Sequence, residues 1–572
     1  MKIQMSSIHR ALGDLRGNSV VSVVLALLIV GCASPQDGDP ASGESTGEES
    51  AVSELPVELT HFVVQTRDVS DPVVLAEQVQ ARYGLQATVE RLFVDIDPEE
   101  DPDGMARMFR VAVPRERLSS ENLWDSAYAL EEELDLAEAE PDLEPMHDEA
   151  LETGQLCFVE DEAPIDKEWS VKSVSAVEAW TLTPPGAGKR FGEGISVCHP
   201  DTGWSEHVEL DSSRLDLTRA KNLLADGPAD ARDPLDYSGG MLNPGHGTGT
   251  GTVIVSEHEQ GEIKGMAPLA TLVPIRTAKS VIQVFDSDLA RAVNHAVDAG
   301  CDVISMSLGG RAFFGLKAAI NRAVRNDVIV AAAAGNCVRF VVAPAAYNEC
   351  LAIAGTNIEN KPWIGSSRGE AVDISAPGEH VWTAKRREAS APIDELTPGQ
   401  GTSFAVANVA GAAALWLAFR DLADPPPGTL GAPMQEVFRE VLRRTALTPV
   451  DWNPDRYGTG ILNVKALLEA DLAPPETFPE PTESAAEGLE LLAAVVDKSP
   501  QELGPLLAHL FDVPLAAVED ELQRWGPELI QQALADPRAF ERLLGSLAGE
   551  EVGATPAELL PSASSRLRGQ IQ

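Results

Sequence analysis

Three short segments of this chain carry side chains suited to moving a proton and attacking a carbonyl. Asp201 opens Asp201-Thr202-Gly203 directly after an apolar stretch at 195–197, and a carboxylate at the end of a buried strand can orient an imidazole and stabilise its charged form. His246 heads the run Gly-Thr-Gly-Thr-Gly-Thr-Val-Ile, which reads as the start of a buried helix. Ser403 stands in Gly401-Thr402-Ser403-Phe404-Ala405, at the mouth of an apolar helix expected over 405–417, where a hydroxyl would be exposed on a buried support. Peptide hydrolysis at a serine needs a base for the hydroxyl proton, an acid behind that base, and donors for the oxyanion. Asp201, His246 and Ser403 supply the acid, the base and the serine itself, in the order Asp, His, Ser. Taken singly the motifs stay open: Asp-Thr-Gly also occurs in aspartic proteases and in plain turns, and a lone His is usually structural.

The segments that would position these groups alternate between strand and helix. Apolar runs at 194–198, 272–276, 302–306, 328–333 and 351–354 read as strands, with helices at 289–297 and 316–324 between them. That alternation predicts an α/β fold with a doubly wound, mainly parallel sheet and ligands at the carboxyl ends of its strands. Upstream, 61–66, 88–96, 108–113 and 138–143 read as strands and 71–83 and 119–134 as helices, the strand, helix, strand, strand, helix, strand order of a ferredoxin-like α+β domain. Downstream, Pro474, Pro475, Pro479 and Pro481 mark a stiff linker. Beyond them Ser499-Pro500-Gln501-Glu502 and Asp536-Pro537 look like helix starts, so 487–548 is expected to be a small all-α unit and 549–572 a disordered tail.

In this order and context the motifs resemble the subtilisin-like serine proteases. The His207-Val208-Glu209-Leu210 stretch is similar to one that follows the catalytic Asp in that family, and Gly265-Met266-Ala267-Pro268 follows the His246 helix as it does there. The resemblance covers 166–470 and implies an Asp201, His246, Ser403 triad with Asn336 as the side-chain oxyanion donor. It also implies that Ser307, Leu308, Gly309 and Gly310 pair with extended substrate while Ala334 and Gly335 form the opposite wall of the first specificity pocket. Gly249 stands where the family usually carries a second His, and Ala407 and Asn408 where it has Pro-His; none of these takes part in the proton relay. A small domain at 57–147 ahead of such an enzyme resembles its inhibitory propeptide, with 148–165 as a cleavable acidic linker. The implied function is a serine endopeptidase made as a zymogen, acting on extended peptide or unfolded protein and on its own propeptide. A dedicated processing protease for one partner and a catalytically silent peptide-binding module are the alternatives.

Composition and the amino terminus bear on location. With 89 acidic against 44 basic residues the net charge is −45, which argues against a nucleic-acid partner, since phosphate binding needs clustered Lys and Arg. Lys2, Arg10 and Arg16 precede an apolar run at 20–30 too short to span a bilayer, a signal peptide by shape. Ile29-Val30-Gly31-Cys32 resembles the bacterial lipoprotein cleavage box, implying export, lipidation of Cys32 and a membrane-anchored or secreted protein with 33–56 as a disordered tether. Of the remaining cysteines, Cys337 and Cys350 flank a loop that the resemblance places at the pocket floor; they are a disulfide candidate, with two buried thiols as the alternative. Cys198 and Cys301 are expected to be small buried apolar residues. The chemistry requires no cofactor, and acids are too plentiful for a metal site, such as a structural calcium, to be picked out by spacing.

Overall fold

In this computed structural model the described residues are 58–142, 159, 161–237, 242–257, 262–281, 286–309, 314–338, 340–422, 432–472, 487–496 and 498–571. The expected signal, the lipidation site Cys32, the tether, most of the acidic linker and Gly310 lie outside them.

The first domain runs β1 (Leu59–Thr66), α1 (Pro72–Tyr83), β2 (Thr88–Arg91), β3 (Met108–Pro114), α2 (Leu123–Glu133) and β4 (Leu136–Pro141). Its antiparallel sheet has the order β2-β3-β1-β4, as the ferredoxin-like reading requires. Asp71 caps α1 through Val73 N, with Pro72 in the first turn, and Asn122 caps α2 through Trp124 N and Asp125 N. Alternation along β1 then sorts the layers. Phe62 and Val64 pack with Leu75, Val79, Ala127 and Leu130 into the domain's own core, while Val63 and Met108 face the following domain. Strand β2 is shorter than expected because Leu92 and Phe93 turn inward to join that second cluster.

The second domain is built on seven parallel strands. They are β5 (Ser196–Asp201), β6 (Lys221–Asn222), β7 (Thr271–Arg276), β8 (Val303–Met306), β9 (Ile329–Ala333), β10 (Leu351–Thr356) and β11 (Ile374–Pro377); a small hairpin, β12 (Val381–Ala384) and β13 (Leu396–Gly399), follows. The sheet order is β11-β10-β9-β8-β5-β7-β6. Val197, Val303, Ile329 and Leu351 pack with the helices α3 (His246–Val255) and α6 (Thr402–Arg420). Cys198, Ile304, Val330 and Ala352 face the opposite layer, α4 (Asp286–Asp298) and α5 (Phe314–Arg325). Burial on both faces is why these strands read as unbroken apolar runs. Helix α6 has the length and a mean hydropathy of 1.5 that would suit a membrane span, but that stretch is wholly buried inside the protein; it is the central core helix.

Two cysteine expectations are corrected. Cys198 and Cys301 are joined by a disulfide, with Cα atoms 5.8 Å apart across a sequence separation of 103. Cys198 lies in β5 and Cys301 just before β8, and these strands are neighbours, a fact of topology that spacing along the chain does not reveal. Cys337 is disulfide-bonded and Cys350 is a buried free thiol, so they are not bonded to each other. Cys337 lies past the carboxyl end of β9 and Cys350 just before β10. Because β9 and β10 are parallel neighbours, the connection between them starts at one edge of the sheet and ends at the other.

The C-terminal unit comprises α7 (Glu487–Val495), α8 (Pro500–Phe511), α9 (Val518–Ala535), α10 (Pro537–Leu547), α11 (Pro556–Leu559) and α12 (Ser565–Gln570). The last two correct the expectation of a disordered tail. Thr555 and Glu558 form a capping box at α11, and Leu559, Leu560, Ala563, Leu567 and Ile571 are buried.

Candidate active site

The sheet reverses its direction of winding between β5 and β8, and open α/β sheets bind ligands at the carboxyl ends of strands flanking such a point. Asp201 is the last residue of β5 and fully buried. His246 is the first residue of α3, which begins there because Gly245 is in the left-handed region at φ 73°. A Cβ on Gly245 would sit 1.6 Å from Arg386 O, and one on Gly247 would sit 2.3 Å from Gly203 O. Only glycine on either side lets the histidine backbone come this close to the Asp201 turn. His246 Nδ1 is 2.9 Å from Asp201 Oδ1 and 3.1 Å from Oδ2. Thr202 N donates to Oδ1 at 2.7 Å.

Two further groups that the motifs did not single out support this pair. His199, on β5 and fully buried, has Nε2 3.7 Å from Asp201 Oδ2 and 3.1 Å from Thr250 Oγ1. Residues two apart on a strand share a face, so Cys198-His199-Pro200-Asp201 carried the signal. Asp233 Oδ2 accepts from Gly245 N at 2.8 Å and from Tyr237 OH at 3.1 Å, fixing the start of α3. Nothing in local spacing points to it. Burial pushes the Asp201 carboxyl up, but electrostatic attraction from the neighbouring His246 and His199 rings and the hydrogen bonds from His246 and Thr202 outweigh it and hold the group below the usual carboxylate range. Burial is also the largest influence on His199 and pushes its imidazole below the usual range, against the pull of Asp201.

Ser403 lies in the first turn of α6 and is 4% exposed, more enclosed than the sequence suggests. Its Oγ donates to Ser307 O at 3.1 Å and Ser307 Oγ donates to Ser403 O at 3.0 Å. This reciprocal pair ties α6 to the segment leaving β8. Asn336 follows β9. Its Oδ1 accepts from Thr402 N at 2.8 Å and from Thr402 Oγ1 at 2.9 Å, two donors that fix the amide orientation and leave Nδ2 for another partner. A Cβ on Gly401 would lie 3.5 Å from Asn336 Nδ2 and 3.8 Å from Ser403 Cβ, so the amide nitrogen and the serine flank one small space.

The remaining expected residues line the same edge. Ser307 and Leu308 are buried, and Gly309 N donates to Val281 O at 3.2 Å. The Ala334 and Gly335 carbonyls accept from Val342 N and Ser367 N, both at 3.0 Å, which holds the bend after β9. Gly249 packs closely on the hairpin, since a Cβ there would meet Thr383 Oγ1 at 3.1 Å. Asn408 Nδ2 donates to Phe404 O and Pro377 O at 3.0 and 3.2 Å, so this departure from Pro-His serves packing. Asp161, Glu379 and His380 bring potential metal-ligating atoms within 4.8 Å of one another, but His380 Nε2 is already hydrogen-bonded to Asp161 Oδ1 at 2.6 Å.

An acid, an imidazole, a hydroxyl and an amide gathered from four separated segments belong to the serine hydrolase class of chemistry. Residues 192–465 match the family model described as the subtilase family. The chain is 29% identical over 305 residues to the major intracellular serine protease of Bacillus subtilis, covering 52% of this chain and 87% of that protein. It is 31% identical over 233 residues to subtilisin DY of Bacillus licheniformis, covering 39% of this chain and 78% of that protein. With thermitase of Thermoactinomyces vulgaris the identity is 28% over 258 residues, covering 44% and 81%. The chain belongs to the subtilase family, and it is a serine endopeptidase.

Proposed function

We propose that Ser403 is the nucleophile, His246 the general base and Asp201 the acid that orients it, with Asn336 Nδ2 and Ser403 N stabilising the oxyanion. The observation that carries this reading is the Asp201–His246 hydrogen bond, with the His246 ring 6.4 Å from that of Phe404, the residue after Ser403, and with Asn336 flanking Ser403. Asp201, held as a carboxylate, fixes the proton on Nδ1 and leaves Nε2 to take the serine proton. In the unliganded site Ser403 Oγ is hydrogen-bonded to Ser307 O; nucleophile–base contacts tighten when substrate binds. Extended peptide pairs with 307–310 on one side and meets 334–335 on the other. Main-chain hydrogen bonds carry affinity there and pockets add preference.

Residues 57–147 act as an inhibitory propeptide and the protein is made as a zymogen. Asp142, at the end of the first domain, accepts from Ser287 Oγ at 2.6 Å. The chain is held again at Val159, whose N–H donates to Gln400 Oε1 at 2.9 Å and whose carbonyl accepts from Gln400 Nε2 at 2.7 Å. Gln400 is three residues from Ser403, so the linker joins the propeptide to the neighbourhood of the nucleophile. Wild-type protein should cut itself within about 144–165 and give a fragment starting near Glu160, whereas Ser403→Ala should stay full length. Gel and N-terminal sequencing of purified protein check this. Normal processing of purified Ser403→Ala would show that the chain does not cut itself.

The protein is exported and anchored through lipidated Cys32, a reading supported by the basic and apolar start of the chain and by the Cys198–Cys301 disulfide, since such bonds persist in oxidising compartments. Cys32→Ser should shift the protein from the detergent to the aqueous phase on partitioning, because stable anchoring needs more than one acyl chain. Wild-type protein found wholly in the aqueous phase contradicts the anchor.

A further inference from the structure

Helix α2 of the first domain has two buried faces. Ala127 and Leu130 pack into the domain's own core. Trp124 and Tyr128 point the other way, each 3% exposed, and their cover comes from the C-terminal unit. The Tyr128 ring meets Trp525 of α9 edge-on, centroids 5.5 Å apart, and the Trp124 indole donates to Gln531 of the same helix. A surface carrying two aromatic side chains is costly to leave in water, so this face of α2 needs a partner.

The polar contacts are as specific. Glu528 of α9 is fully buried, and its carboxylate takes Tyr128 OH at 2.9 Å, Ser564 N at 2.5 Å and Ser564 Oγ at 2.9 Å. Asp125 Oδ1 accepts from Ser565 N at 2.9 Å and Ser565 Oγ at 2.8 Å. Asn122 Nδ2 donates to Ser562 O at 3.0 Å. Arg566 reaches Glu132 at 2.8 Å and lies 5.6 Å from the Tyr128 ring centre. Where the three parts meet, a cavity of about 200 Å³ lies among Glu138, Lys317, Tyr347, Glu490 and Ile530. Ser562, Ser565 and Arg566, beyond the subtilase match at 192–465, therefore reach α2 and its cap, while Ser564 fixes the Glu528 carboxylate that receives Tyr128.

We propose that α9 and 562–566 form a binding surface whose occupant is the chain's own N-terminal domain, and that the surface retains this domain after the linker is cut. The idea rests on reading that domain as a propeptide. The C-terminal unit stays covalently joined to the catalytic domain, while cleavage frees the N-terminal domain from both. The sheet face of the N-terminal domain is held on the catalytic side through Asp142 with Ser287 and through Asp103 with Asn321 at 3.1 Å. A second hold, through α2, adds to this one and slows release of the inhibitor after cleavage.

The test uses the full chain carrying Ser403→Ala and a recognition site for an unrelated protease inserted between 148 and 156, so that nicking does not depend on the chain's own activity. After the nick the N-terminal fragment should co-elute with the remainder at micromolar concentration. Tyr128→Phe and Asp125→Ala should each raise its dissociation constant about tenfold or more, as expected for loss of hydrogen bonds to buried or charged groups. Asp125 is only half-buried, so Asp125→Ala decides the matter if the Tyr128 variant loses its cooperative melt. Dissociation constants within twofold of the parent in the folded variants would overturn the proposal while leaving the propeptide reading intact.

Discussion

Ser403→Ala and His246→Ala should each lower kcat on an unstructured protein substrate by on the order of 10⁶-fold, the magnitude that holds for the corresponding changes in subtilisin, a relative of this protein. The reason is that attack needs both groups in one step: without His246 the Ser403 proton has nowhere to go, and without Ser403 the base activates nothing in the right place. Combining the two should therefore cost little more than either alone. KM should change far less, because neither side chain holds substrate backbone. Asp201→Asn should also reduce turnover, by about 10⁴-fold if the loss of the favoured imidazole tautomer dominates as it does in other serine proteases. Roughly additive losses in the double variant would mean that Ser403 and His246 do not act as a unit.

Asn336→Ala should reduce kcat by about 10²–10³, again the range known for subtilisin. The donor faces charge that exists only in the transition state, so turnover should fall more than apparent affinity. The side chain has a second task, since Oδ1 holds Thr402 N and Thr402 Oγ1 at the start of α6. Asn336→Asp separates the two, keeping the Oδ1 acceptor and replacing the Nδ2 donor by an oxygen. It should lose at least as much turnover as Asn336→Ala while melting close to wild type. Wild-type turnover in either variant would remove Asn336 from the oxyanion site.

The segments carrying Asp201, His246 and Ser403 were legible because each candidate sits in a compact string whose residue types serve the backbone around it: glycines beside His246 for close approach, small residues around Ser403 for a buried helix start. The parallel sheet was legible for the same local reason, since strands buried on both faces are unbroken apolar runs. What escaped the sequence depends on contacts between distant segments. His199 backs Asp201 only because β5 places them on one face, and Asp233 holds Gly245 from 12 residues away in the sequence. The Cys198–Cys301 bond follows from β5 and β8 being adjacent. The order of 556–571 likewise has no sense without its partner: Ser562, Ser565 and Arg566 read as a polar tail until α2 is set against them.

The most direct measurement is covalent labelling by a fluorophosphonate, which needs a serine activated by its base and an oxyanion site to receive the phosphoryl oxygen. After linker cleavage, purified protein should be labelled at a single position, Ser403, identified by peptide mass. His246→Ala should label at least a thousandfold more slowly, and Ser403→Ala not at all. Labelling that persists in Ser403→Ala, or a cleaved and folded wild-type protein that takes up no label, would contradict the assignment of Ser403 as the nucleophile.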